Sequence, residues 1–224
     1  MRNSKDIKKR WPNSISMGDS GKGKTWLIGT MLAHHKPYII DTENGIMTIK
    51  EGDFDYEIVN TFAEFKKEVN WFLKNYKKHG YTILVIDGLS RLQQYLIDGL
   101  LPDGVYKLDF DLWTEILAKS RKIINTLTKE LPVPVHCTVM AGESKDPITK
   151  VNKIFPNVQG AFKYDLLGYF DVCFFHDVFK KDNKDRFMVQ TKGDQRIIAK
   201  SRLAGLKKFE ENNYSIIANL IKGD

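Results

Sequence analysis

Short, nearly continuous apolar runs alternate along the chain with longer stretches whose apolar residues recur at helical spacing. The runs at 13–17, 37–41, 55–59, 81–87 and 133–141 predict strands, and 81–87 is apolar enough for a buried central one. The stretches 24–35, 61–78, 88–99 and 110–130 predict helices. In 61–78, Phe62, Phe65, Val69, Phe72, Leu73 and Tyr76 return on one side and mark a core-facing stripe. Strands alternating with helices predict an α/β fold with a mainly parallel central sheet flanked by helices. The last third changes character. Apolar stretches 169–179 and 186–192 flank the polar 180–185, which predicts a C-terminal β-hairpin. A short strand near 196–199 and a helix near 212–221 follow. No repeat or linker interrupts the pattern, so a single domain over 1–224 is expected. Two connections, 99–109 and 142–159, read as long loops, and such loops are usually functional or disordered.

Charge adds a partner class. The formal net charge of +7 and a pI near 9.2 favour polyanions, above all nucleic acid. The 142–159 connection carries Lys145, Lys150 and Lys153, with Phe155, Phe162 and Tyr164 close by. Cations interleaved with rings suit single-stranded nucleic acid, since charges follow phosphates and rings stack on bases. The plainer reading is a solvated loop docked by its aromatics. Cys137 and Cys173 lie in apolar runs and read as buried free thiols, which fits a reducing cytoplasm. No apolar stretch is long enough to span a membrane, and no apolar segment follows the basic start, so no membrane association and no secretory leader are expected. The histidines have no ligand-like spacing, so a dedicated metal site is not expected. Trp11 offers a ring for a nucleotide base but fits packing better.

The most specific chemistry is at Gly18-Asp19-Ser20-Gly21-Lys22-Gly23-Lys24-Thr25, a complete phosphate-binding P-loop. Its glycines let backbone N–H groups close around phosphates. Lys24 would reach the β- and γ-phosphates, and Thr25 would hold Mg²⁺. ATP and Mg²⁺ are therefore the expected cofactors. Lys22 is a second lysine inside the loop, and either charge neutralisation or exposure to solvent accounts for it. The apolar run ending in Asp87 supplies the acidic residue that organises the metal. Gly88 follows, where many AAA-type ATPases carry the water-activating Glu. The base is then sought after the second strand, at Asp41-Thr42-Glu43. Ligands of parallel sheets sit beyond the carboxyl ends of the strands. On a strand beside the P-loop strand, Glu43 would polarise a water. Glu143 is a second candidate for base or γ-phosphate sensor, with His136 nearby.

The segments GDSGKGKT, YIIDTENG and ILVIDGLS together resemble the ATPase core of the RecA family. The run Gln195-Arg196-Ile197-Ile198-Ala199-Lys200-Ser201-Arg202 is similar to the AK-x-R segment of RecA-like recombinases. With Pro156, Gly160, Phe162, Phe170 and Asp171, the chain most resembles phage-encoded nucleotide-binding proteins with a minimal RecA-like core. The resemblance spans about 13–205. It implies a P-loop ATPase linked to single-strand annealing and recombination, with single-stranded DNA as partner, in the host cytoplasm. It implies a homo-oligomer, ring or filament, in which Lys200 and Arg202 reach the nucleotide of a neighbouring subunit. Two alternatives stay open: a non-catalytic ATP-gated module for a replication or packaging partner, and a P-loop nucleotide or small-molecule kinase.

Overall fold

The computed structural model describes residues 10–49, 51–101, 109–146, 148–181 and 184–222. The elements run β1 (Ser14–Gly18), α1 (Lys24–Met31), β2 (Pro37–Asp41), β3 (Asp55–Ile58), α2 (Phe62–His79), β4 (Ile83–Asp87), α3 (Leu89–Asp98) and α4 (Phe110–Asn125). Then follow β5 (Val135–Lys145), β6 (Asn152–Pro156), α5 (Phe162–Asp165), β7 (Val172–Lys181), β8 (Lys184–Gln190), β9 (Lys200–Ser201), β10 (Phe209–Glu211) and α6 (Ser215–Lys222).

One ten-stranded sheet has the order β10-β8-β7-β1-β5-β4-β2-β3, with β6 added to β5 and β9 to β7. Every pairing from β3 across to β7 is parallel, and the pairings β7–β8, β7–β9 and β8–β10 are antiparallel. β1, β2 and β4 are buried throughout, as a parallel sheet covered on both faces requires. Alternation sorts their side chains. Ile15, Met17, Leu84 and Ile86 join Phe65 and Phe72 of α2, Leu92 of α3 and Ile124 of α4. Ile83 and Val85 face the other way, toward Leu27, Ile28 and Met31 of α1 and Ile217 of α6. Ser14 and Ser16 share that second face, and each meets a buried histidine: Ser14 Oγ lies 2.8 Å from His136 Nδ1, and Ser16 Oγ 2.8 Å from His176 Nε2.

Local chemistry sets the long helices. Thr61 caps α2, its hydroxyl accepting from Glu64 N at 3.1 Å, and Gly80 ends it in the left-handed region. Asp109 caps α4 by accepting from Leu112 N at 2.8 Å. The regular part of α4 ends at Asn125, and a π-helical turn carries the chain to Glu130, shorter than the continuous helix expected to 130.

Three expectations are corrected. The 142–159 connection is largely an antiparallel ribbon, because β5 continues to Lys145 and pairs with β6. Phe155 and Phe162, 5% and 4% exposed, are core residues and have no free ring face for a base. The β7 and β8 strands run further into the expected turn, to Lys181 and from Lys184. Most of the 99–109 connection lies outside the described residues.

Candidate nucleotide-binding site

The P-loop leaves β1 at Gly18 and enters α1 at Lys24, at the carboxyl edge of the parallel strands. A cleft of about 610 Å³ opens there, lined by Ser20, Gly21, Gly23, Lys24 and Thr25 from the loop and by Trp26, Glu43, Gly45, Thr48, Met140 and Phe187. Lys24 Nζ donates to the carbonyls of Gly18 at 2.8 Å and Asp19 at 2.9 Å, which closes the loop around its own ammonium. Burial lowers the Lys24 pKa, and the carboxylates of Glu43, Asp87 and Asp19 oppose that shift. Gly23 has φ +87°, and a Cβ there would lie 2.5 Å from Asn212 Nδ2. The Asn212 amide instead donates to Gly23 O at 2.8 Å, so the segment before α6 braces the loop from behind.

Thr25 Oγ1 donates to Asp87 Oδ2 at 3.0 Å. Thr138, from β5, donates to Asp87 Oδ1 at 2.5 Å and accepts from Gly88 N at 2.8 Å. Burial pushes the Asp87 carboxyl up to about 6, with Asp41 and Glu43 adding to the rise and the Thr138 and Thr25 hydrogen bonds opposing it. A cation beside it would relieve that cost. Gly45 faces this pair, and a Cβ there would sit 3.7 Å from both Asp87 Oδ2 and Thr25 Oγ1, so its missing side chain keeps a cradle open. One hydroxyl and one carboxylate fit Mg²⁺, which completes its shell with phosphate oxygens and water. Among the described residues no group of three or more His, Cys, Asp and Glu makes a dedicated metal cage.

Glu43 follows β2 and lines the cleft opposite Lys24 and Thr25. The sequence predicts its strand beside the P-loop strand, and the structure places it elsewhere. The order β1-β5-β4-β2 puts two strands between them, because later crossovers insert β5 and β4. Glu43 reaches the cleft through its turn. Asp41 Oδ1 accepts from Glu43 N at 2.9 Å, and Asp41 Oδ2 from Ile46 N at 3.0 Å. Thr42 Oγ1 contacts the carbonyls of Asp87 and Gly88 at 3.0 and 2.8 Å, pinning the turn to the end of β4. A carboxylate there can accept a proton from a water lying between it and a bound phosphate.

Other candidate residues fall elsewhere. Asp19 supplies its carbonyl to Lys24, and its side chain is exposed. Lys22 Nζ donates to Asp177 Oδ1 of β7 at 2.8 Å, and this hydrogen bond raises the Lys22 pKa. Lys22 therefore stands as a strut between the loop and the hairpin. Glu143 sits on the β5–β6 ribbon, 3.1 Å from Arg196 Nη2. His136 is fully buried on β5, level with Ser14 of β1, and burial depresses its pKa to about 3. Trp11 packs on His35, ring centroids 4.2 Å apart, and on Tyr214. Arg202 Nη1 donates to Asp171 Oδ1 at 2.8 Å, and Lys200 pairs with Cys173 in the sheet. Both lie at the amino end of β7, since Val172 is level with Ser14 and Phe175 with Met17. They are thus at the opposite edge of the sheet from the P-loop of the same chain.

Sequence reading missed Gly45, Thr138, Asn212 and the two exposed rings Trp26 and Phe187 that flank the cleft. Thr138 shares a strand with His136, and two residues further on is Met140, whose sulfur lies 3.4 Å from Lys24 Nζ. A polar residue inside an otherwise apolar central strand was the available signal for Thr138.

A P-loop strand separated from the Asp87 strand by one intervening strand, with helices on both faces, defines a P-loop NTPase domain of RecA-like fold. The AAA domain family matches residues 14–203, and the chain belongs to it. No curated protein sequence matches the chain. Among solved structures, the fold is similar to that of the flagellar accessory protein FlaH from Methanocaldococcus jannaschii. The TM-score is 0.51 with 11% identity, over 90% of this chain and 84% of that chain. Among the described residues no helix is long and apolar enough to cross a membrane.

Proposed function

We propose that the protein is a Mg²⁺-dependent ATPase that acts on single-stranded DNA. The observation that carries the reading is the position of Glu43 in the same cleft as Lys24 and Thr25, with no carboxylate at residue 88 to take its role. Gly18, Asp19, Ser20, Gly21, Gly23 and Lys24 cradle the triphosphate with backbone groups and one ammonium. Thr25 and Asp87 would hold the metal, which would supply positive charge beside the phosphates. Glu43 takes the proton of the attacking water as the bond from that water to phosphorus forms and the bond to the bridging oxygen breaks.

A base acts on the transition state, so Glu43→Gln should keep ATP affinity and lose most of its turnover. Normal turnover by that variant assigns the base to another residue.

The DNA partner is supported by the +7 charge and by the resemblance to phage-encoded RecA-like annealing and recombination proteins. Affinity for single strands should fall steeply with salt. The same resemblance supports a homo-oligomer in which Lys200 and Arg202 complete a neighbour's ATP site. Their position far from their own P-loop is compatible with service in trans. Arg202→Ala protein mixed with Lys24→Ala protein should then recover activity, and no recovery at any ratio argues for self-contained sites.

A further inference from the structure

The β7–β8 hairpin outruns the rest of the sheet. Pairing between β1 and β7 stops at Met17 and Phe175, whereas β7 continues to Lys181 and pairs with β8 down to Lys184. The hairpin therefore stands beside the P-loop, braced by the Lys22–Asp177 ion pair.

Its two faces differ. Directly opposed residues of an antiparallel pair share a face, and successive residues alternate. Phe179 opposes Arg186, and Lys184 lies two residues before Arg186, so these three share one face. Phe209 of β10 joins them, its ring meeting that of Phe179 edge to face at 5.5 Å. Both rings remain open, at 42% and 40% exposure. Lys208 Nζ sits over the Phe209 ring, 5.4 Å from its centroid. Lys184 and Arg186 are exposed and have no ion-pair partner among the described residues. Of the carboxylates at this face, Asp177 is taken by Lys22 and Asp194 lies 3.5 Å from Lys208 Nζ, which leaves Glu211. Phe187, next to Arg186, turns to the opposite face and lines the nucleotide cleft.

We propose that the outer face of the β7–β8–β10 ribbon, with Phe179 and Phe209 as stacking platforms and Lys184 and Arg186 as phosphate contacts, binds single-stranded DNA. Two open rings with cations beside them match the chemistry of a strand that offers bases and phosphates together. The pattern is sequence-tolerant, because every base has a π-face. Strand and nucleotide then occupy the two sides of β8, and the Lys22–Asp177 contact joins the DNA face to the P-loop. This assignment rests on the single-stranded DNA reading given above, and it moves the contact surface from the β5–β6 ribbon to the hairpin.

The test is fluorescence anisotropy with labelled oligothymidylate over a range of salt, on the full chain with and without ATP. Phe179→Ala and Phe209→Ala should each weaken binding by about fivefold or more. Lys184→Gln combined with Arg186→Gln should weaken it and flatten the salt slope by about 1.4, at roughly 0.7 per single-strand phosphate contact. All should keep wild-type ATP affinity, which reports that the fold and the cleft are intact. Lys145→Gln with Lys153→Gln, on the β5–β6 ribbon, should bind as wild type. If the hairpin variants bind normally, or the ribbon variant alone loses binding, the hairpin assignment is overturned while the DNA reading stands. If the wild-type protein binds no oligonucleotide at low salt in either nucleotide state, both are overturned.

Discussion

Gly88 stands against Glu43. It has φ +108°, and a Cβ on it would lie 2.6 Å from Glu43 Cγ and 2.3 Å from Thr42 Oγ1. The residue after Asp87 thus does more than lack a carboxylate. Its bare α-carbon makes the space in which the Glu43 stem lies. Gly88→Ala should strain the backbone by about 1–3 kcal/mol and push the Glu43 turn away from the cleft. Turnover should fall by about 10²-fold, since misplacement of a reacting group by an ångström has that effect. ATP affinity should stay near wild type, because the P-loop does not touch this contact. Single-turnover kinetics beside a binding titration separates the two. Equal loss in both would show that Gly88 supports the whole site.

Asn212 holds Gly23 across a sequence gap that spans most of the chain, donating to its carbonyl at 2.8 Å from a buried position. Asn212→Ala leaves that carbonyl without its partner beside a loop that needs a fixed shape. The expected loss is about 1–2 kcal/mol of stability, together with weaker ATP binding. Saturating Mg²⁺ and ATP should restore most of the melting temperature, by mass action on the folded state. A variant that loses stability but binds ATP as tightly as wild type would make the contact purely a fold brace.

The two lysines of the P-loop should behave oppositely. Lys24 sits within the phosphate cleft, and Lys24→Ala should weaken ATP binding at least about tenfold, the scale of a lost hydrogen bond to a charged group. Lys22 points to Asp177 in a partly exposed pair, where about 0–1 kcal/mol is at stake. Lys22→Ala should therefore change ATP affinity less than about threefold, and adding Asp177→Ala should change it no further. A large loss of ATP affinity in Lys22→Ala alone would return this residue to the phosphates.

The parts of the fold and site that were legible in the sequence are those encoded locally. The P-loop, the apolar run ending in Asp87 and the helical stripe of 61–78 each carry their signal within a few turns of chain. The order of the strands does not. Nothing near Glu43 announces that β5 and β4 separate its strand from β1, because crossovers elsewhere set that order. The β5–β6 ribbon was missed for a related reason. Its partner strand begins with the polar Asn152 and Lys153, which read as loop until Glu143 and Ser144 are placed opposite Ile154 and Lys153. Gly45 and Asn212 shape the cleft through what they leave open or reach across to, and neither property is visible in residue type.

Three buried histidines make stability depend on pH. Burial holds His136 and His176 at about 3 and His35 at about 4, and for His176 the nearby His136 and Lys24 add to the effect. All three are neutral in the folded protein near pH 5, whereas in the unfolded chain each titrates near 6.5. The unfolded state therefore binds more protons below pH 6.5, so stability falls as pH drops through that value and continues to fall toward the folded pKa values. At pH 5 each histidine accounts for a loss of about 2 kcal/mol. Asp87, raised to about 6 in the folded protein, works in the other direction and offsets part of that loss. The net loss between pH 7 and pH 5 should be several kcal/mol, before ordinary carboxylates begin to titrate. Urea unfolding at the two pH values measures it. His176→Gln should be less stable than wild type at pH 7, because it disturbs the contact with Ser16. Its drop between the two pH values should nevertheless be smaller by about 2 kcal/mol. An unchanged drop in that variant would place the acid sensitivity in other groups.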